Sequence, residues 1–235
     1  MVAAEFVVTH PGLRTAYSRA TSSVAFVDES YRAAGRPGEP PFYLMVAVVI
    51  DVDAMGQARA DLMRIAGGTY WHTTEAFREL TGRSRVDAMV AYLSAADVWS
   101  VVAVQTCVDP RDATLESARM ECMARLIAEV TRGGGPHATR TIVAEIRRPG
   151  AEQARDDENI TRLFRAGVLS DGVRLHMVSP NQEPLLWAPD VVAWALRRLL
   201  ALGDGQWFSP LRTACTLFES GSGRRIMVGV PRAGR

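Results

Sequence analysis

Nine consecutive apolar residues, "FYLMVAVVI" at positions 42–50, constrain the fold of this chain more than any other stretch. Val46, Val48, Val49 and Ile50 are β-branched, which disfavours a helix and favours an extended strand. No polar residue interrupts the run, so the strand it predicts is well buried. It is too short to span a bilayer as a helix. The N-terminal stretch "MVAAEFVVTHPGLR" lacks the basic and then apolar layout of a signal peptide. The expectation is a cytoplasmic protein with no membrane partner.

A second extended run, "SVAFVDES" at 23–30, ends in two adjacent acids, Asp28 and Glu29. The Gly/Pro-rich "YRAAGRPGEPP" joins it to the apolar run, so the two strands are expected to pair antiparallel. Helical spacing of apolar residues follows over 53–66, closed by Gly67 and Gly68. Thr73 or Thr74 is expected to cap a short helix running through Glu75 to Leu80, and a further helical face covers 84–96. The remaining pattern predicts strands at 98–108, 140–146 and 173–179. Helices are expected at 112–132, closed by glycines 133–135, at 159–167, and at 189–203 with a proline start and a glycine stop. Residues 1–22 read as an irregular lead, 23–203 as one domain, and 204–235 as a Gly- and Arg-rich extension with one possible strand, "RRIMVGV". This order makes an α/β fold, a mixed five-stranded sheet flanked by helices. It suits a ribonuclease-H-like architecture without forcing it.

The chain has 235 residues, enough for one domain with a large core. All 27 of its Lys and Arg positions are Arg. The absence of lysine excludes a Schiff-base enzyme, a Walker-A phosphate loop and a protein kinase, each of which needs one at its centre. The formal net charge of +1 argues neither for nor against nucleic acid, because the local distribution of charge decides that. Cys107, Cys122 and Cys215 are far apart and odd in number, which suits free thiols in a reducing compartment.

Several acids fall where strands end or helices begin, the places where open α/β sheets keep their chemistry. Asp28 and Glu29 end the first strand, Glu145 nears the end of the fourth, and Asp190 opens the last helix. His72 and Glu75 sit in "YWHTTE" before a short helix. Each has a structural role open to it as well. Asp28 and Glu29 suit a turn, Asp190 complements a helix dipole, Glu145 can pair with Arg147 or Arg148, and Glu75 can cap a helix.

"FVDES", the apolar strand, "YWHTTE" and "PLLWAPDVVAWALRR" together resemble the domain-of-unknown-function 3800 family, which is grouped with the ribonuclease-H-like nucleases. The likeness spans roughly residues 23–200. It implies that Asp28 and Asp190 are metal ligands and that His72 is the family's central histidine. Glu145 stands where a fourth-strand acid is expected, and Glu29 and Ser30 match the neighbours of the first aspartate. The chain departs from the family at Tyr70, which replaces the Glu two residues before the histidine. It departs again at Leu186, which replaces a Gln, and at Pro189, inserted before the last aspartate. Glu75, one turn after His72, stands as the substitute for the lost Glu.

The resemblance implies a metal-dependent nuclease that hydrolyses phosphodiester bonds in RNA or DNA by a two-metal mechanism with Mg²⁺ or Mn²⁺. Asp28, Glu145, Asp190 and Glu75 are the expected ligands, and Asp28, Glu29, His72, Glu145 and Asp190 the expected catalytic set. Arginines at 140–165, 197–198 and 224–235 are candidates for the cationic walls. The departures keep a second reading open, that of an inactive relative binding nucleic acid or a protein. Other chemistry is disfavoured. No G-x-S-x-G is present for a serine hydrolase. "RGGGPH" at 132–137 follows a helix and precedes a strand, the reverse of a phosphate loop.

Overall fold

The computed structural model describes residues 8, 10–33, 39–96, 98–109, 111–132, 138–170 and 172–227. Its strands are β1 (Ser23–Arg32), β2 (Phe42–Asp51), β3 (Trp99–Gln105), β4 (Thr141–Glu145), β5 (Arg174–Val178), β6 (Cys215–Glu219) and β7 (Arg225–Ile226). They form one mixed sheet in the order β5-β4-β1-β2-β3-β6-β7. β2 runs antiparallel between β1 and β3, while β4 and β5 continue parallel from β1.

The apolar run forms β2, and its burial on both faces explains its missing alternation. Phe42, Leu44, Val46, Val48 and Ile50 join one core, and Tyr43, Met45, Ala47 and Val49 the other. The first core is covered by α2 (Met55–Ala66), α4 (Gly82–Ala95) and α7 (Trp187–Leu202). The second is covered by α5 (Glu116–Arg132) and by Leu163 and Ile160 of α6 (Ala151–Arg165). The short α3 (Thr73–Arg78) sits beside α4 and α7. Gly203, at φ 68°, ends α7, and its N–H donates to Leu199 O. Its left-handed conformation is one that glycine adopts without a Cβ penalty.

Four expectations need correction. The sheet has seven strands, not five, because β6 pairs parallel with β3 and carries β7. Residues after 203 therefore belong to the domain. The lead is not irregular: α1 (Pro11–Arg19) starts with His10 Nδ1 accepting from Leu13 N and Pro11 at its first position. Leu13 is fully buried, which contributes roughly 1.5–3 kcal/mol over leaving it in water. Finally, α6 begins eight residues before its expected start at 159, at Ala151. Its buried side includes Asp156 and Asn159, so the helix carries little apolar signal there. Residues 34–38 of the expected hairpin loop, the glycine run at 133–135 and positions 228–230 of the expected tail strand lie outside the described residues. Cys107, Cys122 and Cys215 are free thiols, and no helix among the described residues is long and apolar enough to cross a membrane.

Candidate functional site

Successive residues of a strand point to opposite faces. Phe26 joins the α7-side core, so Asp28, two residues on, emerges on that side, and Glu29 on the α5 side. β4 pairs in parallel with β1 through Val27 and Ala144, and the next residues along the two strands are Asp28 and Glu145. The two carboxyls are near enough for each to bear on the other's electrostatics. The first turn of α7 brings Asp190 over them. Together they line a cavity of about 480 Å³ with Glu29, His72 and Arg197.

The electrostatics record this convergence. The Asp28 carboxyl is pushed well above its ordinary value, first by burial and then by the charges of Asp190 and Glu145. Glu145 is pushed up to about 6 by burial and by Asp190, against a lowering from His72. Asp190 is raised by burial, against lowering from the Thr73 backbone and hydroxyl and from His72. A proton or a cation is the natural relief for such a cluster.

Pro189 does not turn Asp190 away. It occupies the third residue of α7, where a missing N–H breaks no intrahelical bond. The preceding turn, Pro184–Leu186, places Leu186 in the buried core. Asp190 is further fixed by Thr73, whose backbone N–H and Oγ1 both donate to Asp190 Oδ2 at 2.8 Å. Trp71 Nε1 donates to the same threonine oxygen at 2.9 Å. Thr73 is the first residue of α3 and not its cap; that position belongs to His72.

The remaining expected residues are placed differently. Glu29 accepts from Arg119 Nε at 2.8 Å, within a network in which Arg119 also meets Asp156, and Arg147 meets Asp156 and Glu116. Glu75 accepts from the Tyr70 hydroxyl at 2.8 Å and is not among the residues lining the cavity. Arg197 lines the cavity, whereas Arg198 is paired with Asp204 and lies against Phe77, Trp194 and Trp207. A second hollow of about 240 Å³ shares Asp28, Glu29 and Glu145 and adds Arg148 and Arg155.

Thr73, Arg119 and Glu183 were not legible as part of the site. Glu183 is fully buried and accepts from Arg59 Nε and Nη2, from the Tyr17 hydroxyl and from Leu185 N. It ties α1 and α2 to the turn that feeds α7. The only signal for it is a lone acid seven residues before Asp190.

The donor set suits a hard divalent cation in its chemistry: three carboxylates, no sulfur, and a repulsion that positive charge relieves. In position it does not fit as it stands: among the described residues no three or more His, Cys, Asp or Glu are arranged so that they could hold a metal ion. Comparison with protein-family models, with curated proteins and with solved structures returns no match for this chain.

Proposed function

We propose that this chain is a metal-dependent phosphodiesterase of ribonuclease-H-like architecture acting on RNA or DNA. The observation that carries the reading is the meeting of Asp28, Glu145 and Asp190, from two strand ends and a helix start, in one cavity where Asp190 and Glu145 raise the proton affinity of Asp28 and Asp190 raises that of Glu145. The strand order β5-β4-β1-β2-β3, with β2 reversed, supports the fold assignment, with β6 and β7 added at the edge.

Asp28, Glu145 and Asp190 are the residues that would hold Mg²⁺ or Mn²⁺. A bound cation supplies charge neutralisation at a phosphate and a more acidic water. The protein's own contribution is positional. Thr73 fixes one oxygen of Asp190 and leaves the other for a ligand. Arg197 offers a guanidinium to a phosphate oxygen entering the cavity. His72 lines the cavity close enough to Glu145 and Asp190 to lower both, and is the group placed to carry a proton to or from a leaving oxygen. Arg148 and Arg155 extend the cationic lining across the end of β1.

A second reading, a silent relative that only binds nucleic acid or a protein, is favoured by one observation. Tyr70 stands where the family has an acid, and its hydroxyl takes up Glu75. The two readings part on one experiment. Wild type, Asp28→Asn and Asp190→Asn are incubated with single- and double-stranded RNA and DNA, with Mn²⁺ and with chelator. Mn²⁺-dependent cleavage that both substitutions abolish supports the enzyme. Binding without cleavage under every condition supports the silent relative. Cleavage unaffected by either substitution sinks the site assignment.

A further inference from the structure

The end of the sheet opposite the acids holds an arrangement that the proposed function does not use. The parallel strands β1, β4 and β5 begin there, and three arginines surround their starts. Arg19 ends α1, Arg140 precedes β4, and Arg174 opens β5 beside Thr141. The Arg174 N–H donates to Arg140 O at 2.7 Å, which ties the last two together. All three line one hollow of about 300 Å³, with Thr21, Ser22 and Gly172. No carboxylate among the described residues lines it.

Three exposed arginines line this hollow, and no acid among the described residues lines it with them. The buried arginines meet acids: Arg59 meets Glu183, and Arg119 meets Glu29 and Asp156. No ion pair engages Arg19, Arg140 or Arg174 among the described residues. The hollow is also shaped for its guanidinium. A Cβ on Gly172 would stand 2.4 Å from Arg140 Nη1, so the bare glycine backbone is what lets that side chain lie where it does.

We propose that this hollow binds a phosphoryl group, held by Arg19, Arg140 and Arg174, at a site separate from the acids. Guanidinium forks match the paired oxygens of phosphate and can engage them in bidentate fashion. Thr21, which also lines the hollow, adds an uncharged hydroxyl donor. Asp28 lies five residues further along β1, roughly 16 Å at the rise of an extended strand. The site is therefore independent of the acid cavity and of any metal there. The phosphoryl group has two sources, a free phosphate compound or a nucleic-acid strand.

The test is a calorimetric titration of the full chain at low salt with inorganic phosphate, a nucleoside 5′-monophosphate and a 12-nucleotide single strand. It uses wild type, the double variant Arg140→Ala/Arg174→Ala, Gly172→Ala and the acid variant Asp28→Asn/Asp190→Asn, each checked for fold by circular dichroism. Wild type and the acid variant are expected to bind alike. The double variant is expected to lose at least tenfold in affinity, because two of three charged partners are gone. Gly172→Ala keeps every arginine and is expected to weaken binding several-fold through displacement of Arg140. A strand that binds tighter than the monophosphate identifies nucleic acid as the source; equal affinity identifies the free compound. The proposal is overturned if none of the three probes binds, if the double variant binds like wild type, or if binding is lost only in the acid variant.

Discussion

Thr73 gives Asp190 two hydrogen bonds to a single oxygen, from its backbone N–H and from its hydroxyl, both at 2.8 Å. Thr73 thus restricts the rotation of the carboxylate and leaves its second oxygen unengaged by that residue. Thr73→Val keeps the shape and the backbone bond but removes the hydroxyl. We expect Mn²⁺ affinity to fall roughly 10–100-fold, the usual effect of losing a residue that orients a ligand. Thr73→Ser should restore it. A calorimetric titration reads both; a valine variant that binds Mn²⁺ like wild type removes Thr73 from the site.

Asp28 and Glu29 are adjacent in the chain and opposite in consequence. Asp28 faces other acids, so Asp28→Asn relieves repulsion and is expected to leave the metal-free protein as stable as wild type, or more so. Glu29 answers the buried Arg119, and Glu29→Ala weakens that compensation. A loss of about 1–3 kcal/mol is expected, at the lower end because Asp156 still meets Arg119. Urea unfolding midpoints compare the pair directly. Equal losses in the two variants would mean that the faces of β1 are assigned wrongly.

The parts of this fold legible in the sequence are those with an apolar signature. β2, α7 and the antiparallel pairing of β1 with β2 follow from runs of Val, Leu and Trp broken by Gly and Pro. Elements whose buried side is polar were missed or shortened. The early turns of α6 bury Asp156 against Arg119 and Arg147, and α1 offers only Leu13, Ala16 and Tyr17 to the core. β6 was hidden among Gly and Arg in a tail that looked like an appendix. The acids were legible one by one, but not their partners. Nothing in "DES" tells which carboxylate faces the cavity and which meets Arg119, because that depends on the register of β1 against α5 and α7. Thr73 and Asp190 are likewise joined only by the packing of α3 on α7.

The Glu183 clamp is expected to matter for stability before it matters for chemistry. Arg59 holds both of its oxygens, at 2.8 and 2.9 Å, in a site closed to solvent. Glu183→Gln leaves a buried guanidinium without its counter-charge, a change that costs about 3–5 kcal/mol where such pairs have been broken. Tyr17→Phe removes only the 2.6 Å hydroxyl bond and should cost less, about 1.5–3 kcal/mol. Replacing both charges, Arg59→Met with Glu183→Leu, should recover much of the loss because no charge is then left buried alone. Recovery is measured from urea midpoints, and a double variant no better than Glu183→Gln rules out the unpaired-charge explanation.

The acid cluster sets a pH dependence whose sign follows from its raised proton affinities. Glu145 sits at about 6, above its ordinary 4.5, so the folded chain holds this proton more tightly than the unfolded chain does. Its stabilising contribution is complete below about pH 4.5 and is lost as the pH rises through about 6. Asp28 and Asp190 shift in the same direction. Relative to Asp28→Asn/Glu145→Gln, wild type without metal should therefore lose thermal stability between pH 5 and pH 7. A divalent cation competes with these protons, so the rise in Tm on adding Mn²⁺ should be small at pH 5 and larger at pH 7.5. Thermal melts of both proteins across this range, with Mn²⁺ and with chelator, decide the matter. If Mn²⁺ shifts Tm equally at both pH values, or shifts the double variant as much as wild type, it is bound somewhere other than the carboxylates of Asp28 and Glu145.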